Sequence, residues 1–418
     1  MSGAGWHPLI APAPRLVTPL PALARRLVLG ALARGARDWH DARLDVRLPD
    51  GERVVLGAGP RADAIIDVRD QRGFARIAIR GELGAGEAYV AGDWDADDLP
   101  TALRLFLRAT GARGLESPLT RLARLPALRR HRRAHNDRAG SARNIAAHYD
   151  LGNRFYGAFL DEKMVYSCGR WADATTLDAA QTAKLAHLCD LAALAPGERV
   201  LELGCGWGAL ALAAAARGAQ VDAITVSPAQ LAHARDRVAA APAEVAARVA
   251  LALRDYRDTA GTYDAVLSCE MLEAVGEAYL PVFFATVAAR LRPGGRAVIQ
   301  SITMPDERYD AYRRSVDWMQ TYVFPGSHIP SLGAIRAAAT RAGLTVERAD
   351  DLGHDYPPTL RAWRERFAAA GARAGFDEPF IRTWNLYLAF SEAAFAERTL
   401  ALHQLVLRRT TPDRRSSA

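Results

Sequence analysis

Three glycines spaced two residues apart carry the strongest chemical signal in the chain. An apolar run that ends in Glu202 and Leu203 passes through Gly204, Gly206 and Gly208 into an alanine-rich segment. Glycine has no Cβ, so it allows positive φ and a close approach of the backbone to a ligand. The spacing is neither the Gly-x-Gly-x-x-Gly of dinucleotide folds nor a phosphate loop, which ends in Lys followed by Ser or Thr. We therefore predict a strand, a tight ligand-binding loop and a helix N-terminus.

The elements that must position this loop alternate between strand and helix patterns from about residue 143. Such alternation predicts an α/β fold with a mostly parallel sheet and helices on both faces. A ligand in such a sheet lies beyond the C-terminal strand ends, where the glycine loop would sit. Strands are predicted at 199–203, 220–225, 249–253, 263–269 and 295–302, with helices at 178–194, 208–217, 228–240 and 278–291.

The N-terminal third differs from the rest in pattern and in charge. At 418 residues the chain predicts two domains, which we place at 1–140 and 141–418. Short apolar runs between 40 and 100 predict a small β-containing lobe, followed by helices, and hence a smaller α+β domain. The net charge of +7 lies in this third, because residues 1–140 hold 23 Arg against 16 Asp and Glu.

Six arginines and one histidine cluster with leucines in residues 121–133. Nucleic acid is disfavoured as a partner, since no recognised nucleic-acid-binding motif accompanies the cluster. A solvated linker remains an alternative. Anionic lipid headgroups suit a basic, leucine-containing segment, and we favour them.

Cysteine usage and hydropathy predict an intracellular location. The cysteines at 168, 189, 205 and 269 form no Cys-x-x-Cys pair, which argues against a disulfide framework and against a bound metal. No apolar stretch of about 20 residues predicts a membrane span, and the N-terminus lacks the order of a signal peptide. We expect a cytoplasmic protein associated with the inner membrane face.

Five segments in a fixed order resemble one enzyme family. The glycine loop with Glu202 looks like motif I of class I methyltransferases, which bind S-adenosylmethionine. Together with four further segments it resembles the cyclopropane-fatty-acyl-phospholipid synthases and mycolic acid methyltransferases, over roughly residues 145–410. The four segments are Ala147–Trp171, Ser268–Gly276, Tyr322–Leu332 and His354–Phe367. GEAYVAGDWD, at residues 86–95, more weakly resembles the accessory domain of the longer bacterial synthases.

The resemblance implies a Rossmann-like class I fold with a helical insertion at about 304–400, and S-adenosylmethionine as cofactor. Thr225, Ser227 and Gln230 are the polar groups available after the second strand. Asp255 and Tyr256 could supply a carboxylate and a stacking ring for adenine, although Tyr256 could equally be core packing. The expected cofactor-binding set is completed by Tyr166, Ser167, Glu202, Gly204, Cys205, Gly206 and Gly208.

The reaction that the resemblance implies is methyl transfer to the cis double bond of an unsaturated phospholipid acyl chain. The resulting carbocation must lose a proton in a dry site. In the family the base is a bound bicarbonate, and its ligands map onto Cys168, Glu273, Tyr356 and the backbone of Ile302. Simple burial for Cys168, a helix-cap role for Glu273 and packing for Tyr356 remain alternatives.

Two positions depart from the family pattern. Gln300 stands in place of a histidine and cannot titrate, and Glu270 replaces a smaller residue. Cyclopropanation is the expected product, and a methylene- or methyl-branched chain is the alternative that Gln300 keeps open. Methylation of a small molecule and a lipid-binding protein with an inactive cofactor site are more distant alternatives.

Aromatic residues crowd the C-terminal part of the chain. We expect residues 304–325 to line an acyl tunnel, with an ordinary helical core as the alternative. Residues 376–407 are predicted to form one long helix with an apolar stripe, which could also serve as a homodimer surface.

Overall fold

The computed structural model describes residues 20–111, 115, 118–149 and 151–410. Its strands are β1 Arg43–Arg47, β2 Arg53–Gly57, β3 Ala64–Val68, β4 Trp94–Ala96, β5 Arg199–Leu203, β6 Gln220–Thr225, β7 Val249–Leu253, β8 Tyr263–Cys269, β9 Leu291–Thr303, β10 Leu344–Asp351 and β11 Ala401–Arg409. Its α-helices are α1 Leu20–Gly35, α2 Arg72–Arg80, α3 Glu82–Val90, α4 Leu99–Thr110, α5 Pro118–Arg133, α6 Arg138–Tyr149, α7 Asn153–Gly157, α8 Leu177–Leu191, α9 Ala209–Ala216, α10 Pro228–Ala239, α11 Ala243–Ala246, α12 Leu280–Arg290, α13 Asp306–Tyr312, α14 Trp318–Tyr322, α15 Leu332–Arg341, α16 Tyr356–Ala374 and α17 Glu378–Ala396.

The described residues form two compact units. One contains the described residues up to Arg133 together with Arg314–Pro325 and Trp363–Thr399, and we call it the N-terminal unit. The other contains Ala134–Arg313, Gly326–Ala362 and the described residues from Leu400, and we call it the sheet unit. Two segments from the second half of the chain thus group with the N-terminal third, whereas the sequence-based domains divide the chain once, at 140.

The sheet unit is built on a seven-stranded sheet in the order β10-β11-β9-β8-β5-β6-β7. The five strands from β9 to β7 are parallel, and β11 and β10 are antiparallel additions at one edge. Strand order reverses between β5 and β8, which is the switch point where α/β sheets bind ligands. The predicted α/β architecture of a class I methyltransferase is confirmed.

Burial on both faces explains why the central strands read as continuous apolar runs. Val200, Leu201 and Leu203 of β5 are at most 1% exposed. Phe283 and Phe284 of α12 pack on one side of the sheet, whereas Leu210 and Ala211 of α9 pack in a second apolar cluster. The core therefore holds β5 and β8 in place, and the residues of the candidate site follow directly after the C-terminal ends of these strands.

The predicted single helix over 376–407 is wrong. Helix α17 ends at Ala396, Arg398 takes a positive φ of 53°, and Ala401–Arg409 forms strand β11 between β9 and β10. A short apolar run does not distinguish buried strand from buried helix by periodicity. Residues 401–409 form a strand because pairing with the free edge of β9 satisfies the backbone hydrogen-bonding groups of β11.

The N-terminal unit has a four-stranded sheet in the order β2-β1-β3-β4, which agrees with the predicted β-containing lobe. Helix α17 is anchored to the GEAYVAGDWD segment through Arg382. Its guanidinium donates to the carbonyls of Tyr89 at 2.6 Å and Trp94 at 2.8 Å, and lies 4.0 Å from the centre of the Tyr89 ring.

This unit also encloses an apolar cavity, which we call the N-terminal cavity. Side chains from α1, β3, α2 and α4 line it, together with Trp318 and Met319 of α14 and Leu386 of α17. The indole Nε1 of Trp318 is buried there without a hydrogen-bond partner among the described residues. In the part of the chain that the structure describes, no helix is long and apolar enough to cross a membrane.

Candidate active site

The glycine loop follows β5 and is shaped by positive φ angles. Gly204, Gly206 and Gly208 have φ values of 79°, 52° and 86°. The N–H groups of Gly204 and Cys205 both donate to the carbonyl of Ile224, at 3.1 and 2.8 Å, which ties the loop to β6. A Cβ on Gly204 would lie 2.9 Å from Cγ of Met271, so glycine is required there by backbone and by space.

A pocket opens at this loop, and ten of the expected cofactor residues line it. They are Tyr166, Ser167, Glu202, Gly204, Cys205, Gly206, Thr225, Gln230, Asp255 and Tyr256. Gly208 and Ser227 are not among the lining residues. The Ser227 hydroxyl caps α10 by accepting from the N–H of Gln230 at 3.3 Å, and Gly208 packs against Ala234.

The carboxyl group of Glu202 and the ammonium group of Lys184 both belong to residues that line this pocket. Burial raises the pKa of Glu202 to about 8, and its Oε2 has no hydrogen-bond partner among the described residues. Lys184 is 1% exposed and donates to the Ser167 hydroxyl at 2.6 Å. Sequence reasoning missed Lys184, because a lysine inside an amphipathic helix pattern normally faces solvent.

The polar groups after β6 and β7 are already oriented by neighbours. The Thr225 hydroxyl donates to Oε1 of Gln230 at 2.8 Å. Asp255 is held by Arg257, whose Nε and Nη2 lie 2.7 and 2.6 Å from its two oxygens. Burial raises the pKa of Tyr256 to about 12, and its hydroxyl has no partner in the described structure. Hydrogen bonds therefore orient Thr225, Gln230 and Asp255 in the pocket wall.

A second group of predicted residues meets around Glu270, directly after β8. Its Oε1 accepts from the N–H of Cys168 at 2.9 Å and from Nε2 of Gln300 at 2.8 Å, and its Oε2 accepts from the Tyr356 hydroxyl at 2.6 Å. We call these four residues the Glu270 network. Glu270 also lines the cofactor pocket, whereas Cys168, Gln300 and Tyr356 do not.

Glu273 lies one turn further along and uses different donors. Its Oε1 accepts from the N–H of Ile302 and from the Ser301 hydroxyl, the latter at 2.9 Å. Its Oε2 is buried without a partner in the described structure. Burial and the neighbouring Glu270 raise the pKa of Glu273 to about 8. The structure thus brings Glu273 and Ile302 together, and brings Cys168, Gln300 and Tyr356 together, around two different carboxyl groups.

Residues that the sequence reading did not single out hold the network in place. Gln404 of β11 is fully buried and donates from Nε2 to Oε1 of Gln300 at 2.8 Å. This contact turns the amide nitrogen of Gln300 toward Glu270. The Thr359 hydroxyl lies 3.8 Å from the Cys168 sulfur and accepts from the Trp171 indole at 2.8 Å. The wrong helix prediction over 376–407 concealed Gln404, since only a strand there brings it beside β9.

Residues 136–405 match the family model described as mycolic acid cyclopropane synthetase. Tuberculostearic acid methyltransferase UfaA1 of Mycobacterium tuberculosis is 41% identical, over 97% of this chain and 96% of that protein. The cyclopropane-fatty-acyl-phospholipid synthase of Escherichia coli K12 is 35% identical, over 85% of this chain and 91% of that protein.

Among solved structures, mycolic acid cyclopropane synthase CmaA1 complexed with SAH and CTAB is 27% identical, with a TM-score of 0.60. That match covers 64% of this chain and 98% of the solved one. The chain therefore belongs to the mycolic acid cyclopropane synthetase family and is an S-adenosylmethionine-dependent methyltransferase.

Proposed function

We propose that this enzyme methylates the double bond of unsaturated acyl chains in membrane phospholipids. The observation that carries the proposal is the position of Glu270, which lines the cofactor pocket and is held there by Cys168, Gln300 and Tyr356. A carboxylate fixed at the pocket of a methyltransferase suits a reaction that must remove a proton after the methyl group arrives.

The pocket fits S-adenosylmethionine, which supplies an electrophilic methyl group when bound. Glu202 presents a buried, unpartnered oxygen to the pocket, and a ligand ammonium group would satisfy it. Tyr166 and Tyr256 offer aromatic faces, while the glycine loop allows a close backbone approach. We assign cofactor binding to the pocket-lining residues, the shape of the glycine loop to Gly208, and the capping of α10 beside the pocket to Ser227.

The bicarbonate ion that the resemblance implies does not fit the same geometry. The groups at three of its expected positions already hydrogen-bond the Glu270 carboxylate, and Glu273 adds a second carboxyl group beside it. A bicarbonate anion at this position would be repelled by the Glu270 carboxylate, and those three groups would have no unused donors with which to hold it. The proposed reaction therefore contains no step through bicarbonate.

For the product, we propose a methylene-branched chain, with the cyclopropane ring as second candidate. The relative at 41% identity is named a tuberculostearic acid methyltransferase and is matched over 97% of this chain. The relative named a cyclopropane synthase is 35% identical over 85%. Both products begin with the same methyl transfer, and they differ in whether the cation closes a ring or undergoes a hydride shift before losing a proton.

A basic and apolar surface on the N-terminal unit supports association with lipid. Helix α5 exposes Leu119, Leu122 and Leu125, with exposed fractions of 53%, 65% and 39%. Exposed arginines of the same helix include Arg121, Arg129, Arg130, Arg132 and Arg133. Leucines flanked by arginines suit an interface between acyl chains and anionic headgroups, so we propose peripheral binding through α5, on the cytoplasmic face of the membrane.

The N-terminal cavity supports a further part of the proposal. The segment expected to line an acyl tunnel, 304–325, contributes Trp318 and Met319 to it. The wall is almost entirely aliphatic and aromatic, as expected for a site that excludes water from a hydrocarbon chain. We propose that this cavity holds an apolar part of the lipid substrate.

Fatty-acid profiling of cells that express the protein tests the proposed function. A lipid heavier by one methylene group that takes up hydrogen, as an alkene does, indicates a branched methylene product. The same mass increase with resistance to mild hydrogenation indicates a ring. Absence of any heavier acyl chain, together with cofactor binding by calorimetry, would contradict acyl methylation, and absence of cofactor binding would favour a lipid-binding protein with an inactive site.

A further inference from the structure

Glu270 has a backbone conformation that side chains rarely adopt. Its φ is 48°, and its N–H donates to the carbonyl of Gln300 at 2.7 Å. A non-glycine residue in the left-handed region is strained and persists only where the surroundings fix it. Here this turn at the end of β8 places the carboxylate among three donors, which indicates a functional constraint.

The donors around Glu270 come from three separate parts of the sheet unit. The Cys168 N–H lies before α8, the Gln300 amide on β9, and the Tyr356 hydroxyl at the start of α16. Three hydrogen bonds to one carboxylate favour its charged form and fix its orientation. Burial acts in the opposite direction and raises the pKa of Glu270, which keeps the carboxylate basic.

Gln300 and Glu270 are complementary. Gln404 donates to Oε1 of Gln300, so the Gln300 nitrogen is left to donate to Glu270. A glutamine donates without bringing a charge, whereas Glu270 brings a carboxylate that belongs to the chain. The two departures from the family pattern therefore form one unit, in which a side-chain carboxylate takes the place expected for a dissolved anion.

We propose that Glu270 is the base of the reaction and that turnover needs no bicarbonate; this inference rests on the proposed acyl methylation. After methyl transfer, the Glu270 carboxylate takes a proton from the transferred methyl group. The electron pair of that C–H bond neutralises the cation. It closes the ring directly, or, after a hydride has shifted from the methylated carbon to the neighbouring cationic carbon, it forms the methylene double bond. Glu270 becomes a carboxylic acid and must release the proton to solvent before the next turnover.

Glu273 is a poorer candidate for this role. Its Oε1 is occupied by the Ile302 N–H and the Ser301 hydroxyl, and it does not line the cofactor pocket. Its neighbour Glu270 disfavours a second negative charge, which is one cause of the raised pKa of Glu273. At neutral pH Glu273 therefore favours its protonated form, whereas the three donors around Glu270 favour its carboxylate form.

The test measures turnover on monounsaturated phospholipid vesicles in buffer stripped of carbon dioxide, with and without added bicarbonate. The unmodified enzyme is expected to turn over equally, within about twofold, in both buffers. Glu270→Gln should lose on the order of 100-fold or more in kcat, the usual contribution of a general base, with cofactor affinity within threefold. Glu244→Gln, at an exposed position in α11, is the matched control and should behave as the unmodified enzyme.

Glu270→Gly is the second variant, because glycine accepts the positive φ and leaves room for an external anion. It should be inactive without bicarbonate and recover at least tenfold when bicarbonate is added. The proposal is overturned if the unmodified enzyme loses activity when bicarbonate is removed, or if a folded Glu270→Gln variant keeps more than a tenth of its turnover. If the unmodified enzyme methylates no acyl chain in either buffer, the proposed function itself fails.

Discussion

The cofactor pocket and the N-terminal cavity are built on opposite principles. In the cofactor pocket of the sheet unit, Glu270, Lys184, Thr225 and Asp255 are all held by hydrogen bonds or an ion pair. In the N-terminal cavity the wall is mostly aliphatic and aromatic. Chemistry in the cofactor pocket depends on the direction of each hydrogen bond, because a hydrogen bond weakens steeply as its angle departs from linear.

Binding at the second cavity depends on shape and area, since the hydrophobic effect is non-directional. We therefore expect substitutions in the polar network to change kcat with little effect on lipid affinity. Substitutions in the N-terminal unit should change lipid affinity or KM with little effect on cofactor binding. The following variants test that division, in order of expected effect.

Tyr356→Phe removes one hydroxyl from the Glu270 network and no other atom. Because Tyr356 donates to Oε2 of Glu270 and so favours the carboxylate, kcat should fall by about 100-fold, within the range for a general base. The remaining activity should have its acid limb moved to higher pH, as expected when the pKa of Glu270 rises. An unchanged pH–rate profile of kcat would mean that Tyr356 does not influence the pKa of the base. Cofactor affinity, measured by calorimetry, serves as the control and should not change.

Arg129→Gln combined with Arg130→Gln removes two exposed charges from α5. Each basic residue near an anionic surface contributes about 1 kcal/mol, so vesicle affinity should fall by about 30-fold at low salt. The control is Arg336→Gln with Arg341→Gln, two exposed positions of α15 in the sheet unit. Equal losses for the two double variants in vesicle sedimentation would mean that α5 is not the lipid-binding surface.

Met319→Trp fills part of the N-terminal cavity, since Met319 lines it and is partly exposed. The KM for phospholipid should rise by about tenfold, equivalent to about 1.4 kcal/mol, with kcat and cofactor affinity unchanged. Val55→Trp places the same ring at an exposed position of β2 in the same unit. A Met319→Trp enzyme with an unchanged KM would exclude this cavity as the lipid site.

Glu273→Gln should change how stability depends on pH. The pKa of Glu273 is raised to about 8 from 4.5, so between these values the folded state binds a proton that the unfolded state has released. The free energy of unfolding therefore falls as pH rises from about 5 to 8, by at most about 1.4 kcal/mol per unit for one group. Over this pH window the variant should lose less free energy of unfolding than the unmodified protein, as measured by denaturant unfolding. The same dependence on pH in both proteins would contradict the raised pKa of Glu273.

The parts of the enzyme that the sequence predicts well are those where local pattern and tertiary environment agree. The strands from 199 to 269 lie where apolar runs predicted them, because both faces of a parallel sheet are buried. The glycine loop was predictable because Gly204 and Gly206 need positive φ whatever surrounds them. A resemblance then named the residues at the ends of β8 and β9.

What the sequence did not predict depends on neighbours distant in the chain. Strand β11 exists because β9 offers a free edge, and it brings in Gln404. The role of Glu270 follows from its positive φ and from donors 102, 30 and 86 residues away. In sequence it was only a residue larger than the family pattern, with no sign that its carboxylate would occupy the position of an ion.

The most direct test of the central claim uses the purified enzyme, monounsaturated phospholipid vesicles and S-adenosylmethionine with a fully deuterated methyl group, in buffer free of bicarbonate. If a base fixed at the cofactor pocket removes a proton from the transferred methyl group, the heavier acyl chain should retain two deuterium atoms. A chain that retains all three would place the lost proton on the acyl carbons and contradict the role given to Glu270. Absence of any labelled acyl chain would contradict acyl methylation itself.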